Sequence, residues 1–512
     1  MKKYIKIVAL CSLGIVFNSC DEEKILELTP INRISLDQAF SSPSLIESSM
    51  NGVYNAAAVG QYNTTNPNGG RGYLWGAAFI QQGDCRGEDV VNTATFYEFT
   101  YTAQYDATTA NNTFYWVDGY RLINRCNLMI EGVTTAVANG VITQTVANNY
   151  IGQSQFLRAI THFELLTHFA RPFNFTGGAT HLGIPYRTTG IDSEPEIAAA
   201  IAQQRNTVAD CYNKVLADLD AAEALISNTN LFKASKNAAI AFKTRVKLHQ
   251  RDWPGVVTEG LKLNALALTP APNTPFVIPS APNSESIFSI QQGATAGQNA
   301  GVNGALASQY KRRLLVCISP IIWRNPNWLA TDKRREEGVM VVTQLGRKYT
   351  NKYKDDVNYT DAAPVIRYAE VLLNMAEAYA RQSNLPAALT RLNLVRNRSL
   401  ANPITEGYTS SSFTTDATMV GAIITERRIE FVMEGRRWSD IHRLQGDDLQ
   451  PIVGIPAKIG NGNPPATDFT LGTPYTGPLA VAAINDFRFL WPIPQIEVVI
   501  NPTLAAQQNP GW

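Results

Sequence analysis

The chain has 512 residues, with 44 Lys and Arg against 43 Asp and Glu and a formal net charge of +1. That balance supplies no basic stripe of the kind a phosphate backbone demands, so no nucleic-acid partner is expected. At 45% hydrophobic and 17% charged, the chain is globular and long enough to bury a large core.

Lys2, Lys3 and Lys6 precede an apolar run, Ile7 to Phe17, interrupted by Ser12 and Gly14. The run falls short of the roughly 20 residues that span a bilayer and has the layout of an export signal. Asn18 and Ser19 lead straight into Cys20, as in bacterial lipoproteins whose cysteine is acylated and becomes the first residue. Residues 1–19 are therefore expected to be a lipoprotein signal, with Cys20 the lipidation point. Acyl chains would hold the protein to outer-membrane lipid, each buried CH₂ contributing about 0.8 kcal/mol. The acids that follow, Asp21 to Glu23, resemble the sorting signal that sends lipoproteins to the cell surface in the Bacteroidetes. Residues 20–512 then form a single body.

Ser35 to Tyr54 predicts two helical pieces hinged near Pro43. From about 61 to 106 the texture changes to Gly, Asn, Thr and aromatics, which predicts a loop-rich insertion. Helix returns over Asn112 to Ile130 and Ile151 to Phe169, where Phe156, Ile160, Phe163 and Leu166 stripe one side and Pro172 follows the end. Ile197 to Ile226 continues the pattern, then Lys236 to Arg251 and Trp253 to Leu263. A second insertion runs from about 269 to 359, with one strand expected at Ser286 to Gln291. Asp361 with Pro364 near the first position predicts the next helix start. Leu385 to Arg398 and Val420 to His442 complete a series, and a third insertion covers about 445–485. Helices that follow one another without intervening strands bury their stripes as stacked hairpins, so the predicted class is all-α.

Chemistry is sparse. His162 and His168 lie about 240° apart on one helix, no HExxH occurs, and GQSQF at Gly152 lacks the second glycine of a nucleophile elbow. Cys85, Cys126, Cys211 and Cys317 are too widely spaced for a CxxC metal pattern, leaving free buried thiols or a disulfide. Glu430 and Glu434 could be taken as a catalytic carboxylate pair; alternation with Arg427, Arg428, Arg436 and Arg437 favours a partly buried Arg/Glu network. No metal or cofactor is expected. Asp84, Glu88 and Asp89 are close in sequence and raise a structural calcium, although they lack the spacing of a calcium loop. The insertions carry aromatics, and long polar insertions on a rigid helical base are where binding sites lie. Trp75, Tyr73, Tyr97, Trp323 and Trp328 are candidate sugar-stacking rings, with Arg86 and Asp84 as hydroxyl-binding partners.

Several stretches, taken together and in order, carry a family resemblance: FYWVDGYRLINRCN (114–127), QSQFLRAITHFELLTHFARP (153–172), APVIRYAEVLLNMAEAYAR (363–381), ALTRLNLVRNR (388–398), ITERRIEFVMEGRRWSDIHR (424–443), FLWPIPQIEVVINP and the closing QNPGW. With the lipoprotein head, the chain resembles the SusD/RagB family of outer-surface glycan-binding lipoproteins over essentially its whole length. The resemblance implies tetratricopeptide-like helical hairpins whose inserted loops form the ligand face. It also implies no enzymatic activity, an oligosaccharide or glycan ligand, and a TonB-dependent outer-membrane transporter of the SusC type as partner. It places the protein at the cell outer membrane, lipid-anchored and facing outward. Trp116 matches the family's WxxxY helical pattern through Tyr120, and Glu426, Arg427, Arg428, Glu434, Gly435 and Arg436 match its ERR…EGR signature; both are expected to be structural. NPTLAAQQNPGW departs in being longer than the usual strap between NP and QNP. A peptide importer of the same architecture is the alternative, and a surface glycosidase, needing two opposed carboxylates, is the remaining one.

Overall fold

The computed structural model describes residues 35–60, 71–277, 281–295 and 297–512. The signal segment and Cys20 lie outside the described residues. Capping chemistry sets where helices begin: the Ser42 hydroxyl accepts the Leu45 N–H, with Pro43 in the first turn, and the Thr143 hydroxyl accepts the Val146 N–H. Among the described residues the helices of seven residues or more are α1 (Pro43–Val59), α2 (Ala77–Cys85), α3 (Ala110–Ala138), α4 (Gln144–Phe169), α5 (Glu194–Ala202) and α6 (Val208–Leu225). They continue as α7 (Lys236–Gln250), α8 (Trp253–Leu261), α9 (Tyr368–Ala380), α10 (Leu385–Ser399), α11 (Asp416–Glu430) and α12 (Arg437–Arg443).

Each long helix packs on its chain neighbour: α3 on α4, α4 on α6, α6 on α7, α7 on α8, then α9 on α10 and α11. The structure is thus predominantly helical with repeated helix pairs. A main apolar core runs through the array from Ile46 to Leu504. A smaller core gathers Trp438 and Ile441 of α12 with Ile455, Ala482, Phe489 and Leu490. Among the described residues no helix is long and apolar enough to cross a membrane.

Among the described residues six short strands pair antiparallel in three two-stranded sheets: β1 (Val90–Asn92) with β3 (Val316–Ile318), β2 (Ser286–Ile290) with β6 (Ala363–Arg367), and β4 (Val341–Gln344) with β5 (Arg347–Thr350). The first pair fastens the two insertions to each other, and the second fastens the later insertion to the strand that leads into α9. A final strap returns to the first hairpins. Asn509 Nδ2 donates to the Phe169 and Trp491 carbonyls, both at 2.8 Å, and the Arg205 guanidinium donates to the Gln507 carbonyl at 2.7 Å.

Four expectations change. Residues 61–106 do not form a loop where they are described: every residue from Gly72 to Asn92 is buried, because its aromatics and Ala-rich turn build α2 and β1 into the core. The stretch 197–226 is two helices, interrupted before Thr207, whose hydroxyl caps α6. No helix starts at Asp361. Ala363 to Arg367 is instead β6, its Val365 and Ile366 buried against β2, and the Tyr368 N–H donates to the Glu285 carbonyl as α9 begins. Residues 420–442 are also two helices. The break between α11 and α12 lies at Met433 and Gly435, both at positive φ, and Gly435 sits so close to Gly83 that a Cβ at Gly83 would collide with its carbonyl.

Candidate functional site

The seven residues singled out by their chemistry are all buried. Trp75, at the entry to α2, points its indole N–H at the Thr161 hydroxyl (3.5 Å), and the Tyr73 hydroxyl donates to Asn111 (3.0 Å). Tyr97 is 0% exposed with its ring against Phe96. Arg86 lies 3.3 Å over the Trp438 ring and donates to the Phe489 carbonyl at 2.6 Å. Trp323 and Trp328 pack edge to face, 5.4 Å between centroids, and Arg335 lies over both. As described, none of the seven offers a ring face or a polar group to a ligand. The physical reason is that a ring this large contributes most when fully removed from water, and the insertions fold thickly enough to do that. Trp116 is buried too, against Phe169 and Tyr120, in line with a packing role.

The acidic trio is likewise occupied. Asp84 accepts the Gly435 N–H (2.9 Å), and burial pushes its carboxyl up to about 7. Glu88 pairs with Arg437 at 2.6 Å; burial would raise it, but the Arg437 and Arg428 guanidiniums prevail and hold it at about 2. Asp89 pairs with Arg428 at 2.5 Å. Among the described residues no group of three or more His, Cys, Asp or Glu could hold a metal ion. The four described cysteines are free and buried.

Glu430 and Glu434 belong to a buried charge network rather than to a cleft. Five carboxylates (Glu285, Asp332, Glu426, Glu430, Glu434) meet five cations (Arg334, Lys352, Arg367, Arg396, Arg398). Arg334 reaches Glu426 at 2.6 Å and Glu430 at 3.0 Å, and Arg367 reaches Glu434 at 2.9 Å. Burial alone would raise Glu430, yet Arg398, Arg367 and Arg334 hold its carboxyl well below the usual range. A carboxylate so held cannot serve as a proton donor near neutrality. The partners come from other elements, not from the neighbouring turn: Arg427 pairs with Asp440, at 3.1 Å, instead of with Glu430.

An accessible surface lies on the second insertion and the elements it touches. A π-helical turn, Ser308–Arg312, carries Arg312 and leads into Arg313. Such turns recur at functional sites. Arg313 lies 5.3 Å from the Phe96 ring centre, and Arg71 lies 4.9 Å from the same ring. Arg312 donates to the Tyr359 hydroxyl at 2.8 Å, and Arg313 to the Asn303 side chain at 3.2 Å. Arg71 is brought to this spot by a close approach of main chains: a Cβ at Gly304 would stand 2.5 Å from the Arg71 Cα. Upstream, the same insertion borders an open groove of about 710 Å³, where Asn51, Tyr54, Asn55, Phe232, Gln291 and Gln298 supply amides and ring edges. Sequence reasoning placed aromatics in the first insertion but passed over the dibasic pair, which has no motif around it.

Two family models match the chain. Residues 26–248 match one described as "Starch-binding associating with outer membrane", and residues 323–512 match the "SusD family". A SusD-like protein of Formosa agariphila is 25% identical over 448 residues, 78% of this chain and 80% of that protein. The crystal structure of a SusD superfamily protein from Bacteroides fragilis is similar with TM-score 0.72 and 26% identity, covering 91% of this chain and 99% of the other. A surface glycan-binding protein A from Bacteroides uniformis shares the fold, with TM-score 0.64 and 19% identity over 91% of this chain and 99% of that one.

Proposed function

The chain belongs to the SusD/RagB family of outer-membrane-associated proteins that pair with a SusC-type TonB-dependent transporter, and from that premise we propose that it captures oligosaccharides at the cell surface and delivers them to such a transporter. The observation that carries this reading is the pair of family matches, 26–248 and 323–512, the first of which is described by starch binding and the outer membrane. The ligand face is the surface around Phe96, Arg312, Arg313 and Tyr359 together with the amide-lined groove. The buried rings Trp75, Tyr73, Tyr97, Trp323 and Trp328, with Arg86 and Asp84, act through position, as the rigid floor of that face.

In this mechanism Cys20, acylated after removal of residues 1–19, holds the protein at the outer leaflet facing outward. The helical array meets the transporter, and the ligand face presents its catch to the barrel. Contacts at exposed amides and guanidiniums are individually weak, which suits a carrier that must release what it binds. The protein transforms nothing.

Calorimetry of the full chain in mild detergent, against a panel of neutral and charged oligosaccharides, tests the capture step. Binding without turnover is expected, with the sugar recovered intact. Cleavage products would move the protein to the glycosidases, and peptide binding without glycan affinity would make it a peptide importer. Fatty-acid labelling that disappears in Cys20→Ala tests the anchor.

A further inference from the structure

The arginines of this molecule differ in what they meet, and Arg86, Arg205 and Arg335 end on carbonyls and ring faces inside the protein. Those of the ERR…EGR region and its surroundings end on carboxylates. Arg312 and Arg313 do not: among the described residues neither has a carboxylate within ion-pair distance, and their partners are the neutral Tyr359 hydroxyl and Asn303 amide. Lys311, on the same turn, is already matched by Asp356 at 3.0 Å. The sequence around them reinforces this. No acid occurs between Glu285 and Asp332, a stretch that contains both arginines.

The backbone holds them in place at some cost. Leu314, directly after the pair, has φ 53°, and Tyr359, which receives Arg312, has φ 62°. Non-glycine residues in this region carry strain that persists where the surroundings demand it, characteristically at ligand sites. Arg71 joins from the first insertion, sharing the Phe96 ring with Arg313. A ring that two guanidiniums share fixes their spacing.

We propose that this face selects anionic oligosaccharides, with carboxylate or sulfate groups on the sugar chain bound by Arg312 and Arg313 beside Phe96. The inference rests on the glycan-capture reading and names its substrate class. The planar guanidinium matches both carboxylate and sulfate oxygens through paired N–H donors. Residues 249–322, which hold the two arginines, lie outside both family matches. Because Arg312 is exposed and Arg313 half-buried, their hold on an anion is screened by salt: the Debye length shrinks from roughly 10 Å at 0.1 M to about 3 Å at 1 M.

The test is calorimetry of the full chain in mild detergent against matched ligands. One arm compares oligogalacturonates with their methyl esters, and the other compares sulfated galactan oligomers with the desulfated chains; the stronger arm identifies carboxylate or sulfate. Expected is at least tenfold tighter binding of a charged member than of its neutral counterpart, weakening as NaCl rises from 0.05 to 0.5 M. The double change Arg312→Gln with Arg313→Gln should abolish that preference without moving the unfolding midpoint. The matched-ligand comparison needs no variant and stands even if the double change misfolds. Equal binding of charged and neutral members, or an unaltered preference in the folded double variant, overturns the proposal while leaving oligosaccharide capture intact. Binding of oligoglutamate but of no sugar, or of nothing in the panel, overturns both.

Discussion

Two sets of arginines, one under α11 and one on the turn after Ser308, show how the same side chain does opposite work. Arg334, Arg367 and Arg396 are buried, and carboxylates have to be brought to them from 285, 332, 426, 430 and 434. Arg312 is exposed and its partner is a neutral hydroxyl. Inside the protein, an unmatched charge costs several kcal/mol, so the network must close on itself. At the surface, water solvates the guanidinium, and a missing anion costs little until a ligand brings one. The difference teaches that charge count alone does not locate a binding site; the pairing does.

Breaking the buried set should have the largest effect. Arg367→Met leaves Glu285, Glu430 and Glu434 short of a cation and is expected to destabilise by about 3–5 kcal/mol, read by denaturant unfolding. Acid should attack the same kind of site more gradually. Glu88 and Glu430 bind their protons more weakly folded than unfolded. Their contribution is therefore fully present above the ordinary glutamate value of 4.5 and is lost as the pH falls through the folded values, about 2 for Glu88. The melting temperature should drop across that interval, and a flat profile would mean that the pairs are not formed.

Smaller changes sharpen the surface half of the contrast. Gly304→Ala forces a methyl group towards the Arg71 backbone, an overpacking that should cost about 1–3 kcal/mol and lower ligand affinity by displacing Arg71. Arg312→Gln should shift stability by less than about 0.5 kcal/mol, measured by the same unfolding assay. A large loss there would show that Arg312 belongs to the structural population after all.

The helices were the legible part of the sequence. Phe156, Ile160 and Phe163 recur at helical spacing and are buried, since periodic burial is what an amphipathic helix is. Cooperative breaks were not legible. Nothing local distinguishes the Met433 and Gly435 break from a continuing helix, because the cause is the approach of Gly83, some 350 residues away in sequence. The same holds for Asp361: Pro364 reads as a helix start until β2 arrives to pair with it. The candidate face was half visible. Its insertions could be placed by composition, but chemistry favoured Trp75, Trp323 and Trp328, the rings with the most surface to lose, and these are the ones the fold buries.

The strap that joins Asn509 to Phe169 spans 340 residues. At equilibrium such a span is mild, since each doubling of a closed loop adds only about 0.6 kcal/mol. Its consequence is in time. The helix pairs assemble from near neighbours and can form quickly, whereas contacts across so long a separation form late. The first hairpins must therefore wait, with the Phe169 carbonyl unclaimed by Asn509, until the far end of the chain comes home.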